Sequence, residues 1–246
     1  MKVGISVLVC LLVIDTGLVK GSCPSVCFCS DPYNAHVIDC RSRSLGNIPV
    51  DLLNDTLQFW LQENNITAID VQFCKKMPQL HYLYINDNQI SAIPVNTFVD
   101  CEQLYGIDLR NNNISTLESF TFMNLPRLSY LILNGNNISH IEEHAFGTFT
   151  SLYELDLESN PLNCDCTIYP FWSWYVGRAN LEFRYPCERD SATCSNGTLV
   201  KSLQVDALTK CNPANFQCFN GGKYVTRSNG HVVCECIGNW TGNFCQ

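Results

Sequence analysis

Five asparagines, Asn64, Asn88, Asn112, Asn136 and Asn160, recur at an unbroken spacing of 24 residues. Around each the same frame returns. The most regular copy runs Leu104, Ile107, Leu109, Asn112, Ile114 and Leu117, followed by Phe122. Its neighbours place Leu80, Leu83, Ile85, Asn88, Ile90, Ile93 and Phe98 before it, and Leu128, Leu131, Leu133, Asn136, Ile138, Ile141 and Phe146 after it. Five copies in phase leave almost no room for a fold that is not periodic in space.

Each copy is one coil that cannot bury its apolar side alone, so coils must stack. The x-L-x-L-x part of the frame alternates with period two and predicts a short strand in each coil. Stacked strands then form a parallel sheet on the concave face, with the frame leucines inside as a ladder. The asparagine after each strand is predicted to be buried, its amide satisfying backbone groups that the turn leaves unpaired. Phe98, Phe122 and Phe146 are predicted to stack inside the convex side. All of these residues build the core.

The frame L-x-x-L-x-L-x-x-N-x-I resembles the leucine-rich repeat family. That resemblance implies an α/β-type repeat solenoid, a horseshoe with a parallel concave sheet, over residues 55–158. The first repeat departs from the frame: Thr56 stands at its first leucine position and Cys74 at the spine phenylalanine. Cys101 replaces an apolar residue in the second repeat. Adjacent coils lie one strand spacing apart, about 5 Å, so Cys74 and Cys101 are expected to staple coils one and two. The alternative is two buried free thiols.

Sixteen cysteines exceed what a reducing cytosol tolerates. Residues 1–21 predict a secretory signal peptide, with Lys2 at its start, Ile5 to Ile14 as apolar core and small residues near Gly21. The apolar stretch is too short for a spanning helix, no second one follows, and the tail shows no lipid-anchor signal. The expected product is therefore secreted, extracellular and not inserted in a membrane. Sequons at Asn54, Asn65, Asn113, Asn137, Asn196 and Asn239 suit that route. Three of them, Asn65, Asn113 and Asn137, hold one frame position beside the buried asparagine, so glycans would line one flank. Net charge is −8, one unit more negative without residues 1–21, which argues against a nucleic-acid partner.

Residues 22–54 carry Cys23-Pro-Ser-Val-Cys27-Phe-Cys29, then Cys40. They resemble the N-terminal cysteine-rich cap of extracellular leucine-rich repeat proteins. Spacing alone allows three connectivities; the resemblance implies Cys23–Cys29 and Cys27–Cys40. Residues 159–211, beginning Asn160-Pro-Leu-Asn-Cys164-Asp-Cys166, resemble the matching C-terminal cap. There Ile168, Phe171, Trp174 and Tyr175 fall near helical spacing, with Pro170 suited to a first turn. The family pattern implies Cys166–Cys211. Cys164 can pair with Cys187 or Cys194; spacing favours Cys187, although the context of Cys194 also resembles some caps.

Residues 212–246 resemble an EGF-like module. Cys218-Phe-Asn-Gly-Gly-Lys-Tyr224 fits its C-x-N-G-G-x-C motif, with Tyr224 in place of a cysteine, and Cys234, Cys236 and Cys245 fit the last three. The resemblance implies Cys218–Cys234 and Cys236–Cys245, without a calcium site. Seven pairs leave one cysteine, Cys194, which could join two chains. The order of cap, repeats, cap and EGF-like module is similar to Slit-type secreted ligands, although such chains are much longer.

His140-Ile-Glu-Glu143-His144 satisfies H-x-x-E-H, a zinc-peptidase pattern. That chemistry needs both histidines on one helix face, whereas Ile141 here fills a repeat-frame position. No third ligand is indicated, and neither G-x-S-x-G nor a phosphate-cradling loop occurs. No enzyme activity, metal or cofactor is expected.

Function is expected on the concave strands, whose outward residues include Trp60, Tyr82, Tyr84 and Tyr130, an aromatic cluster, and Asp108, Glu154, Asp156 and Glu158, an acidic end, with Arg110 on the same face. Trp, Tyr and Arg dominate protein-binding hot spots. The expected activity is binding of an extracellular protein, receptor or ligand, as in cell–cell signalling or guidance. The alternatives are a matrix component or a secreted innate-immune recognition protein.

Overall fold

The computed structural model describes residues 23–31, 36–71, 73–147, 149–178, 192–203, 223–226 and 232–236. Residues 1–21, expected to be a signal peptide, and Cys187, Cys211, Cys218, Cys245 and Asn239 lie outside them.

A seven-stranded sheet carries the molecule. It comprises β1 (Phe28–Ser30), β2 (Val37–Asp39), β3 (Gln58–Trp60), β4 (Tyr82–Tyr84), β5 (Gly106–Asp108), β7 (Tyr130–Ile132) and β9 (Glu154–Asp156), in that spatial order. β1 is antiparallel to β2, and every later pairing is parallel. Two further strands, β6 (Thr116–Leu117) and β8 (His140–Ile141), make a small parallel ladder. The only α-helix among the described residues, α1 (Tyr169–Val176), follows the last coil. The strands β10 (Lys223–Thr226) and β11 (Val232–Glu235) form an antiparallel hairpin.

The parallel register has no slip. Phe59, Leu83, Ile107, Leu131 and Leu155 stand opposite one another across five strands, and all are buried. A one-residue shift would turn every one of them outward, which is why a 24-residue repeat fixes the pairing so firmly. Each such side chain contributes roughly 1.5–3 kcal/mol by leaving water. Leu61, Ile85, Leu109, Leu133 and Leu157 continue the ladder inside. The chain is therefore a parallel-sheet solenoid of about five coils.

The five frame asparagines are buried and do the same job in each coil. Asn112 Nδ2 donates to the carbonyls of Leu109 in its own coil and Ile85 in the preceding one, at 3.0 and 3.1 Å. Its Oδ1 accepts from the amide of Ile90, also in the preceding coil, at 3.0 Å. Asn88, Asn136 and Asn160 repeat all three contacts. Asn64 makes the equivalent set with the carbonyls of Leu61 and Cys40 and the amides of Arg43 and Leu45. The residue before each asparagine lies in the left-handed region, with φ of 57° at Glu63, 54° at Asp87, 51° at Asn111, 66° at Gly135 and 57° at Ser159. Only at Gly135 does glycine remove the steric penalty, and there the side chain of Asn111 fills the space a Cβ would need.

Phe98, Phe122 and Phe146 stack on the far side of the core, with ring centroids 5.6 and 6.1 Å apart. Trp174 of α1 extends the stack to Phe146 at 4.9 Å. The convex side is otherwise built from turns, a 3-10 turn at Phe73–Lys75 and the β6–β8 ladder. In the first coil Cys74 holds the spine position and bonds to Cys101, while Phe73 beside it packs on Phe59.

Ahead of α1, Asp165 accepts from the amide of Thr167 at 2.7 Å, and Pro170 falls in the first helical turn. Phe171, Trp172 and Tyr175 are buried. Arg178 lies over Trp174 at 4.5 Å and donates to the Phe149 carbonyl at 2.7 Å. Burial lowers its pKa.

Disulfides join Cys23–Cys29, Cys27–Cys40 and Cys74–Cys101. Cys164 pairs with Cys194, which corrects the expected Cys164–Cys187 bond. The reason is local pairing rather than spacing. Cys194 bridges Leu162 in parallel, and Ser195 donates to the Leu162 carbonyl at 2.8 Å, so residues 192–200 lie beside the end of the last coil. With Cys194 bonded, the suggested dimer through its thiol loses its basis. Cys166, Cys234 and Cys236 are also disulfide-bonded, but their expected partners Cys211, Cys218 and Cys245 lie outside the described residues.

Candidate functional site: the concave face

Because strand residues alternate, the side chains flanking each buried centre point to the concave surface. One row holds Gln58, Tyr82, Gly106, Tyr130 and Glu154, the next Trp60, Tyr84, Asp108, Ile132 and Asp156. Trp60, Tyr82, Tyr84 and Tyr130 are half-buried rather than fully exposed, because they pack on one another and on their neighbours.

Tyr82 and Tyr84 stack at 6.1 Å. Tyr82 then meets Tyr105 edge-on at 5.6 Å, Tyr105 meets Tyr130 at 5.4 Å, and Tyr130 meets Tyr153 at 6.1 Å. Five tyrosines thus form one continuous row across four coils. Tyr105 and Tyr153 were not expected from the alternation, because both precede their strands. Their recurrence at one frame position was the available signal. The row depends on Gly106, where an added Cβ would lie 2.9 Å from Tyr82 Cδ1. The missing side chain gives Tyr82 the space to reach across β5.

Trp60 sits apart from this row. Arg41 covers its ring at 4.4 Å, and Asp39 grips the guanidinium with two hydrogen bonds of 2.9 and 2.7 Å. That pairing holds the Asp39 carboxyl below its usual range and raises the pKa of Arg41.

Asp108 departs from the expected exposed acid. It is buried to 7% exposure, with Arg110 Nη2 at 2.8 Å and the Arg110 amide donating to it at 3.1 Å. Burial outweighs these contacts and pushes its carboxyl up. Glu154 is also pushed up, first by burial and then by the negative charge of Asp156. The phenols of Tyr82 and Tyr84 are raised chiefly by burial, that of Tyr130 chiefly by Tyr105.

The H-x-x-E-H segment is not helical. His140–Ile141 is β8, Ile141 is buried, and His144 has φ of 66° with its ring stacked on Phe120 at 5.7 Å. The two histidines therefore do not share a helix face. Among the described residues no group of three or more His, Cys, Asp and Glu side chains is placed to hold a metal ion. No helix among them is long and apolar enough to cross a membrane.

Residues 102–162 match the family model for the leucine rich repeat. Leucine-rich repeat-containing protein 3 of Danio rerio is 40% identical over 73 residues, covering 30% of this chain and 27% of that protein. The protein of the same name from Mus musculus is 32% identical over 74 residues, covering 30% and 29%. The chain thus spans less than a third of the length of these curated relatives. With the in-register sheet and the asparagine ladder, these matches establish that the chain carries a leucine-rich repeat region.

Proposed function

We propose that this chain is a secreted binding protein that engages an extracellular protein, a receptor or a ligand, through the concave face of its repeats. Leucine-rich repeat regions generally serve protein–protein interaction, which sets the class. The observation that carries the proposal is the tyrosine row from Tyr84 to Tyr153. The leucine ladder already completes the core, so these rings add nothing to it that smaller polar residues would not permit. Rigid aromatic side chains with polar tips are what buried binding patches use.

Within this proposal, residues 22–54 and 159–211 seal the raw ends of the solenoid, as a stacked-coil protein requires. Support comes from the antiparallel β1–β2 pair with its two disulfides, and from α1, whose Trp174 continues the phenylalanine stack. Residues 212–246 form an EGF-like module, in keeping with the β10–β11 hairpin and the bonded state of Cys234 and Cys236. The Slit-like arrangement and a role in cell–cell signalling or guidance rest on the order of these parts.

The test is to replace Tyr82 and Tyr84 together by Ala and to compare proteins captured from native extracts by mass spectrometry. A convex control, Phe120→Ala, should leave capture unchanged. Identical capture by the concave variant would remove the face from consideration.

A further inference from the structure

The tyrosine row ends among carboxylates, and the protein contains its own example of what such a combination holds. At the other end of the sheet, Trp60 supplies an aromatic face, Asp39 a carboxylate, and Arg41 the guanidinium between them. At β7 and β9 the first two parts recur. Tyr130 is flanked edge-on by Tyr105 and Tyr153. Glu154 pairs with it in register, and its charge helps to raise the Tyr130 phenol pKa. Asp156 and Glu158 follow along the same strand and its exit.

Among the described residues the third part does not recur at this end. Among the described residues no basic side chain pairs with Glu154, Asp156 or Glu158. Arg110 is held by Asp108, Arg127 donates to Gln103, and Arg178 donates to the Phe149 carbonyl. Arg41 is held at Asp39. Carboxylates that burial and mutual repulsion disfavour gain most from an incoming cation. A guanidinium fits better than an ammonium. It stacks on aromatic faces, bonds a carboxylate with two parallel N–H groups, and gives up its hydration more easily.

We propose that the occupant of this end of the concave face is an arginine-bearing segment of the protein partner, its guanidinium held between the Tyr130 ring and the carboxylates of Glu154 and Asp156. This rests on the concave-face proposal above and names the chemistry of its partner. The segment lies along the tyrosine row, so that its apolar residues meet Tyr82 and Tyr105 while arginine reaches β9. The negative end also steers a basic partner toward the face and repels sulfated polysaccharides.

The test uses the full mature chain and two blocked probes, hexa-arginine and hexa-lysine peptides, titrated calorimetrically at fixed ionic strength. The arginine peptide should bind at least tenfold more tightly. Tyr130→Leu should abolish that preference while leaving lysine binding within twofold. Glu154→Gln with Asp156→Asn should weaken the arginine peptide at least tenfold, and the convex control Glu142→Gln with Glu143→Gln less than twofold. Equal affinity for both peptides, a preference that survives Tyr130→Leu, or no binding at millimolar peptide would each overturn the proposal. Capture from extracts separates the two levels. A partner lost with Tyr82→Ala and Tyr84→Ala but kept with Glu154→Gln and Asp156→Asn leaves the face in use without arginine. A partner kept by both variants removes the face itself.

Discussion

Asn136 reaches back 27 residues to donate to the carbonyl of Leu109 at 3.0 Å, while its own oxygen takes the amide of Ile114 at 3.1 Å. One amide therefore satisfies buried backbone groups in two coils. Replacing it with leucine leaves those groups buried and unpaired, each at about 1–3 kcal/mol. Asn136→Leu is expected to lower unfolding free energy by about 3 kcal/mol or more by the same accounting, measured by urea denaturation. Asn113→Leu, one position past a buried asparagine and exposed, should change it by under about 0.5 kcal/mol.

Gly106→Ala should separate stability from surface shape. The new Cβ would press on the end of the Tyr82 ring rather than on backbone, so the ring moves and the fold survives. Thermal unfolding should shift by only a few degrees, corresponding to about 1 kcal/mol. Capture of partners should fall as far as with Tyr82→Ala. Unchanged capture would show that the continuity of the tyrosine row is irrelevant.

Asp39 and Asp108 should respond to pH in opposite senses. Asp39 has a lowered pKa in the folded state, first through its hydrogen bonds with Arg41. Its stabilisation is present above the ordinary carboxylate value, about 3.9, and is lost as pH falls through the folded value. Asp108 is raised by burial, so the folded state holds its proton more tightly than the unfolded chain. Its contribution falls as pH climbs from the ordinary value to the raised one. Asp39→Asn should destabilise at pH 7 by no more than about 1 kcal/mol, being a surface pair, and not at pH 2. Asp108→Asn should gain on the wild type between pH 3 and pH 7. Denaturation series at three pH values would decide both.

Reduction or replacement of the Cys74–Cys101 bond should loosen the first two coils before the rest. The two residues are 27 apart, and a loop of that size gives about 3 kcal/mol in the chain-entropy model. Cys74→Ala with Cys101→Ala should therefore lower overall stability by about 2–4 kcal/mol. Hydrogen exchange should quicken most at Leu61 and Ile85.

Protein made in a glycosylating host should lose mass on enzymatic removal of N-linked sugars, with Asn65, Asn113 and Asn137 each contributing. All three are exposed at one frame position. If the triple Asn→Gln variant has unchanged mass, the flank is bare.

The repeat made the fold legible because 24-residue spacing acts on every coil at once. Leu83, Ile107 and Asn112 each had four counterparts to confirm their place. The concave rows at Tyr82 and Tyr84 were legible for the same reason. What escaped is what the period does not encode. Tyr105 and Tyr153 precede their strands, and a simple alternation assigns them no surface, yet a three-residue strand lets the preceding residue lean onto the concave side. Asp108 was placed on the right face but not at the right depth, because no pattern along one strand reports how far its surroundings cover it. Cys194 stood second to Cys187 as the partner of Cys164, because spacing along the chain says nothing about which segment returns to lie against Leu162.

The backward reach of the asparagine side chains gives the solenoid a polarity. Each coil's turn is completed by the amide of its successor, so removing everything after a given coil would leave that coil's turn open. Only the final segment, returning to Leu162 through Cys194, ends that sequence without needing another asparagine.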